Sequence, residues 1–359
     1  MAGSLLGGCA ALPLESPRLP HPSSRSAPAA QAPYREAVGV IHIHTTYSDG
    51  SLGVAPIARI ANRQGLDFLI LTDHNTLEAR KEQGWFGSTL VLADTEISTG
   101  EGHYVALRLR EEVPAREEPQ GTIDRVRGQG GLGFIAHPYW PRSPWRKSEV
   151  TGFTGVEIYN AVEDISEENP LSLAAWTVLA GSDFSIARWL DRSAKPLALW
   201  DRYLARGEPV VGIGAADAHG LQRAGFHLGP YGSTFKLVRD HLLIEGDLTP
   251  ESVYRALEKG RLFVAHDIVA DARRFQFLAL ARGQARAVMG ERLRLEEGLQ
   301  LYAYLPAPGR MTLLKDGQAA GTAEGQHGWF RVTGPGVYRL EATRKGRPWI
   351  YSNPIYVIE

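Results

Sequence analysis

The stretch Val40-Ile41-His42-Ile43-His44-Thr45-Thr46-Tyr47-Ser48-Asp49-Gly50 opens as a short apolar run and ends in histidines, hydroxyls and an acid. On a strand, residues two apart share a face, so His42 and His44 are expected to present two imidazoles to one place. Further apolar runs end in the same way. Phe68 to Thr72 leads into Asp73-His74-Asn75, Gly133 to His137 into Pro138, and Val210 to Ala215 into Ala216-Asp217-Ala218-His219-Gly220, while Val156 to Tyr159 is a fifth such run. Helical patterns, Pro56 to Gln64 and Thr122 to Gly130, lie between them. Strand alternating with helix predicts an α/β fold with parallel strands and helices outside. A barrel of that layout places its chemistry at the C-terminal strand ends, where these polar residues fall.

Working outward, residues 161–209 break the rhythm with Glu163, Asp164, Glu167 and Glu168, a helical run and a segment holding Trp189 and Trp200; this reads as an insertion over the barrel mouth. Thr249-Pro250-Glu251-Ser252 opens a helix that Gly260 stops. Beyond about Phe275 the pattern turns to short strands, Gln300 to Leu305, Met311 to Lys315, Gly328 to Val332 and Val337 to Ala342, punctuated by Pro306, Gly317, Gly334 and Pro335. That spacing predicts a small β-sandwich over 276–359 after a barrel over 37–275.

The chain has 359 residues, with Lys plus Arg (39) balancing Asp plus Glu (40), so no global field recruits nucleic acid or an anionic membrane. Its single cysteine, Cys9, excludes an intramolecular disulfide framework and a cysteine-based zinc site. Leu6-Gly7-Gly8-Cys9-Ala10 resembles a bacterial lipoprotein signal, although residues 1–8 carry no Lys or Arg. The proline-rich stretch to residue 36 reads as a linker. Lipidation of Cys9 would anchor the protein at a membrane facing the periplasm or the outer surface; a chance cysteine in a disordered leader leaves it cytoplasmic. Oligomeric state has no sequence signal.

Six of the eleven histidines, at 42, 44, 74, 103, 137 and 219, lie at or just beyond apolar strands. Imidazole with carboxylate suits zinc, iron or manganese, and several carboxylates can hold more than one divalent ion close together. Glu96, following Leu90-Val91-Leu92-Ala93, is the best-placed bridging carboxylate.

His42-x-His44-Thr45-x-x-Ser48-Asp49-Gly50, Thr72-Asp73-His74-Asn75, Glu96, Ala136-His137-Pro138 and Asp217-Ala218-His219 together resemble the PHP (polymerase and histidinol phosphatase) metallohydrolase superfamily over about residues 38–225. A looser likeness, carried by Gly260-Arg261-Leu262-Phe263-Val264-Ala265-His266-Asp267 and Trp349 to Val357, is to carbaryl-hydrolase-like metallohydrolases. The resemblance implies a distorted (β/α)7 barrel with two or three divalent ions. His42, His44, Glu96 and Asp217 would hold the first ion. Glu96 would bridge to a second held with His103 and His137, and Asp49, His74 and His219 would hold a third. Asp49 stands where some members have histidine. Asp73 is expected to hydrogen-bond a ligand histidine.

Glu96, Asp217 and His219 are the residues expected to carry catalysis. The expected activity is hydrolysis of a small-molecule phosphoester, with Arg142, Arg146, Lys147 and Arg223 as candidate phosphate clamps or ordinary surface cations. Two alternatives stand beside it: a carboxylic or carbamic ester hydrolase, with Trp189 and Trp200 lining an apolar pocket, and a surface binding protein with a relict metal site. Ser182 lacks the Gly-x-Ser-x-Gly elbow of a serine hydrolase, and no phosphate loop or dinucleotide fingerprint is present.

Overall fold

The apolar runs fold as strands whose C-terminal ends converge. The computed structural model describes residues 34–147, 149–166, 190–220, 222–223, 226–227 and 230–359. The leader with Cys9, residues 167–189 of the insertion and Trp189 lie outside the described residues. In chain order come β1 (Tyr34–Ile41), α1 (Val54–Arg63), β2 (Phe68–His74), β3 (Gly84–Phe86), β4 (Thr89–Thr99), β5 (Gly102–Leu107), α2 (Pro119–Gly128), β6 (Leu132–Ala136), β7 (Gly155–Asn160), α3 (Ala161–Ser166), α4 (Ala194–Leu204) and β8 (Val211–Ala215). Buried Val54, Ile57, Ala58 and Ala61 give α1 its apolar stripe at three- and four-residue spacing.

β1 pairs parallel with β2 and β2 with β4; β6 pairs parallel with β7 and β7 with β8. Between these groups β5 runs antiparallel to both β4 and β6, so strict strand–helix alternation fails here. The cause is a tight turn: Thr99 pairs with Gly102, leaving Gly100-Glu101 as a two-residue hairpin loop, and Gly102 takes the positive φ (123°) that lets the chain turn back. No helix separates β6 from β7 among the described residues either. Past β8 the backbone returns to the segment after β1 through a parallel bridge from Ile43 to Ala218 and the bond from His44 N–H to the Ala218 carbonyl (3.0 Å). Six ladders and this bridge thus link seven strands in a ring, and among the described residues helices do not alternate strictly with those strands.

The remaining elements are α5 (Tyr231–Leu237), β9 (Arg239–Glu245), α6 (Pro250–Lys259), β10 (Leu262–Ala265), β11 (Gln276–Ala281), β12 (Gln284–Val288), β13 (Arg292–Arg294), β14 (Gln300–Lys315), β15 (Gln318–Arg331), β16 (Gly336–Arg344), β17 (Arg347–Ser352) and β18 (Ile355–Ile358). Thr249 and Ser252 cap α6 reciprocally, and Gly260 ends it at a left-handed φ of 67°. β9 pairs with β1, β10 with β9 and β17 with β10, so the C-terminal strands continue the same sheet rather than standing apart from it. They bury a second apolar cluster around Phe263, Phe277, Leu301, Leu340 and Trp349. The break expected at Pro306 is absent; β14 runs through it, and Pro306 and Pro308 fall in the register shift between Tyr304 and Gly309, where no ladder N–H is required.

Candidate metal centre

Strand ends build the centre. β1 ends at Ile41, so His42 and His44 follow the strand instead of lying on it, and His42 turns through a left-handed backbone (φ 66°). His137, after β6, and Asp217, after β8, also have positive φ (23° and 47°). Three non-glycine residues in this sparsely populated region at one site indicate backbone held in place for the sake of side-chain direction. The parallel register of β2 and β4 sets His74 beside Glu96. β5 descends from its hairpin, so its second residue, His103, lies at the same end of the sheet, opposite Ser98.

Glu96, 1% exposed, is the hub. Its Oε2 lies 3.2 Å from His42 Nε2, 3.3 Å from His44 Nε2 and 3.1 Å from His74 Nδ1. Its Oε1 lies 2.9 Å from both His103 Nδ1 and His137 Nε2. Asp217 Oδ1 stands 3.6 Å from His42 Nε2 and 3.4 Å from His44 Nε2. At the exposed rim, Asp49 approaches His219 Nε2 (3.3 Å), His44 Nδ1 (3.6 Å) and His74 Nε2 (3.7 Å). All nine expected ligands therefore come together. They fall into overlapping groups whose ligand atoms lie within 4.8 Å of one another: His42, His44 and Glu96; His42, His137 and Asp217; His74, Glu96 and His103; and His44, Asp49, His74 and His219.

The donor set fits divalent ions. His42 Nε2, His44 Nε2, His74 Nδ1 and Glu96 Oε2 are buried and lack a well-aligned hydrogen-bond partner although they face one another. Buried polar atoms are ordinarily paired, and convergent orphaned nitrogens around a carboxylate are what imidazole and carboxylate ligation of zinc, iron or manganese requires.

Burial alone would push the His42, His44 and His137 imidazoles down, but the carboxylates around them outweigh it. Glu96, Glu157 and Asp217 hold His42 well above its ordinary value, and His44 and His137 rise to about 9. His74 goes the other way, down to about 4, chiefly by burial. Burial would raise Glu96 and Asp217, yet the surrounding imidazoles hold both well below the usual carboxylate range. In the ion-free chain the stabilisation from His44 and His137 is full below the unfolded value of 6.5 and is lost as pH rises through about 9. A divalent ion must displace those same protons. Affinity for Zn2+ or Mn2+ is therefore expected to climb between pH 6.5 and 9 with proton release, and calorimetry in buffers of different ionisation enthalpy measures both. A pH-independent affinity without proton release would contradict the ligand assignment.

Asp73 does not touch a histidine. It accepts from Thr45 N (2.8 Å), Thr45 Oγ1 (2.8 Å) and Ser48 Oγ (2.7 Å), pinning the loop that carries Asp49. Gly50 closes that loop so tightly that a Cβ would meet the His44 carbonyl oxygen at 2.2 Å. The histidine-orienting role falls instead to Glu157, which was not anticipated. Its Oε1 is 2.6 Å from His42 Nδ1, and its Oε2 accepts from His137 N at 2.7 Å. The available signal was a lone carboxylate inside the apolar run Gly155-Val156-Glu157-Ile158-Tyr159. Trp200 is core, wholly buried with its Nε1 donating to the Val210 carbonyl at 2.8 Å, so it lines no pocket. Among the candidate clamps, Lys147 pairs with Glu118 at 3.7 Å, and the Arg223 side chain lies outside what is described. His241 and His266 are buried away from the centre, held by Glu36 and by the Leu237 carbonyl.

No family model matches the chain. The uncharacterised protein MJ1587 of Methanocaldococcus jannaschii is 33% identical over 138 residues, which span 80% of that protein and 34% of this chain. Among solved structures, the chain is similar to a two-domain protein from Bacteroides vulgatus described as containing a predicted PHP-like metal-dependent phosphoesterase. That match has 14% identity, covers 89% of this chain and 95% of the other, and has a TM-score of 0.43. A lesion-specific endonuclease, EndoQ of Pyrococcus furiosus, matches at 11% identity over 62% of this chain and 56% of its own, with a TM-score of 0.40. The looser carbaryl-hydrolase likeness is not confirmed, and what the site can do rests on the chain's own motifs and on the clusters they build. The chain belongs to the family of MJ1587, and it brings together at one place the five motifs that resemble those of the PHP superfamily.

Proposed function

We propose that the chain is a metal-dependent hydrolase of phosphate esters, a phosphatase or phosphodiesterase acting on a small molecule. The observation that carries this reading is the sharing of Glu96, whose two oxygens face two different sets of imidazoles. Such a carboxylate suits a site for two ions, with His42, His44 and Asp217 on one side and His103 and His137 on the other. Asp49, His74 and His219 would hold a third ion near solvent. Divalent ions supply Lewis acidity toward a phosphoryl oxygen and lower the pKa of water. The chain's own part is to fix those positions with largely buried side chains and to leave the rim at Asp49, 56% exposed, and the partly exposed His74 and His219 open to substrate. Three divalent ions, if all were bound, would outweigh the charge of Asp49, Glu96, Asp217 and Glu157 and would favour an anionic ester.

Turnover of p-nitrophenyl phosphate or bis-p-nitrophenyl phosphate by metal-loaded protein tests the reading. Turnover of p-nitrophenyl acetate alone would replace it with a carboxylic or carbamic ester hydrolase, and bound metal with no turnover of any ester would favour a binding protein. We also propose anchoring through Cys9 at the periplasmic or outer surface, a reading supported by the sequence alone. Full-length protein should then partition to membranes and Cys9→Ala should not; equal recovery of both forms would return the protein to the cytoplasmic alternative.

A further inference from the structure

The ions that the proposed function requires would be held by side chains at or just past the ends of separate strands, and one buried pair on β7 ties three of those strand ends together. Glu157, wholly buried, uses both carboxylate oxygens: Oε1 faces His42 Nδ1 at 2.6 Å, while Oε2 accepts from the His137 backbone N–H at 2.7 Å and from Asn160 Nδ2 at 2.9 Å. Asn160 is oriented in turn by α3. Its Oδ1 accepts from the backbone N–H groups of Val162 and Glu163, both at 3.0 Å, which forces its Nδ2 toward Glu157 and toward Asp217 Oδ2 at 3.3 Å. An amide whose oxygen is occupied by two N–H donors has only its nitrogen left to offer.

We propose that Glu157 and Asn160 are positioning residues that place the ligating nitrogen of His42, the backbone of His137 and the carboxylate of Asp217 as one unit, so that ion binding on the two sides of Glu96 depends on a shared support. This rests on the reading that the cluster holds ions. With its Nδ1 proton committed to Glu157, His42 must present Nε2 to Glu96 and Asp217, the nitrogen that is buried without a well-aligned partner. Glu157 further holds the N–H of His137, a residue in a left-handed conformation that the side chain would not select unaided. The three supported residues, His42, His137 and Asp217, are themselves one of the ligand groups.

Glu157→Gln separates this role from mere packing. The variant keeps the shape, but an amide offers one oxygen where the carboxylate offers two; that oxygen stays with the two donors, the His137 N–H and Asn160 Nδ2, and the amide nitrogen is left facing His42 Nδ1. Removing an outer partner of a metal ligand typically costs about 10- to 100-fold in metal affinity. Zn2+ titration calorimetry should show that loss in Glu157→Gln and, because Asp217 is freed while the Glu157 to His42 contact stays, a loss of about 10-fold in Asn160→Ala. In the Zn2+-loaded wild type, the 15N spectrum should show His42 with a slowly exchanging Nδ1 proton, a signal absent in Glu157→Gln and retained in Asn160→Ala. Wild-type affinity in either variant would overturn the shared support, as would an unchanged His42 signal in Glu157→Gln. Should Glu157→Gln fail to fold, Asn160→Ala decides on affinity and the wild-type spectrum decides on the proton. A wild type that binds no Zn2+ would overturn the ion-binding reading itself, an outcome distinct from tight wild-type binding with unaffected variants.

Discussion

Glu96→Ala is expected to abolish ion binding on both sides of the centre and to lower phosphoester turnover by about three powers of ten or more. Metal polarisation of a phosphoryl oxygen is worth several kcal/mol of transition-state stabilisation, and each tenfold in rate corresponds to about 1.4 kcal/mol. One substitution has so large an effect because five imidazoles converge on this carboxylate. Replacing a residue that serves one ion only, such as Asp49, leaves the other positions their buried ligands and should cost less. Metal analysis and p-nitrophenyl phosphate turnover measured together check this. A Glu96→Ala variant that keeps its ions, or loses them while keeping its activity, would contradict the central place given to Glu96.

Arg339→Ala is expected to destabilise the fold by about 3 kcal/mol, because it empties the buried position of Arg339 over Trp200 and leaves the partly exposed Asp201 carboxylate without its partner. Arg339, on β16, is 1% exposed and bonds both oxygens of Asp201 on α4 at 2.8 Å, while its third nitrogen donates to Glu341 at 2.8 Å. Its guanidinium also lies over the Trp200 ring, 5.2 Å from the centroid. The contact fastens the helix that precedes β8 to the C-terminal strands. Urea unfolding of Arg339→Ala, Asp201→Ala and the double variant checks it. Strong coupling between the two sites is the expected outcome, and additive effects would show that the pair does not fasten these elements.

How much of this was legible in the sequence depends on the kind of signal each residue leaves. Apolar runs ending in His, Asp or Glu announced both the strands and the cluster of candidate ligands at their ends, because buried strands and groups able to bind a metal are residue types that are hard to confuse. The left-handed turns at His42, His137 and Asp217 left no mark, since positive φ is ordinarily signalled by glycine and these positions carry side chains instead. The reversal of β5 was written in Thr99-Gly100-Glu101-Gly102, a hairpin signal that the surrounding strand–helix rhythm obscured. Glu157 was hidden because a single acid in an apolar run has no partner along the chain. Its partners, His42 and His137, are 115 and 20 residues away, and only the closing of the sheet brings them to it. The union of the C-terminal strands with β1 was likewise unreadable, because it rests on β9 and β10 pairing across long separations.

The most direct test of the central claim is the metal content of wild-type protein purified under metal-replete conditions, measured by mass spectrometry beside His42→Ala and Asp217→Ala. Two or three divalent ions per chain in the wild type, with fewer in both variants, is the expected result. A wild-type chain that carries none would contradict the metal centre, and with it the hydrolase built on it.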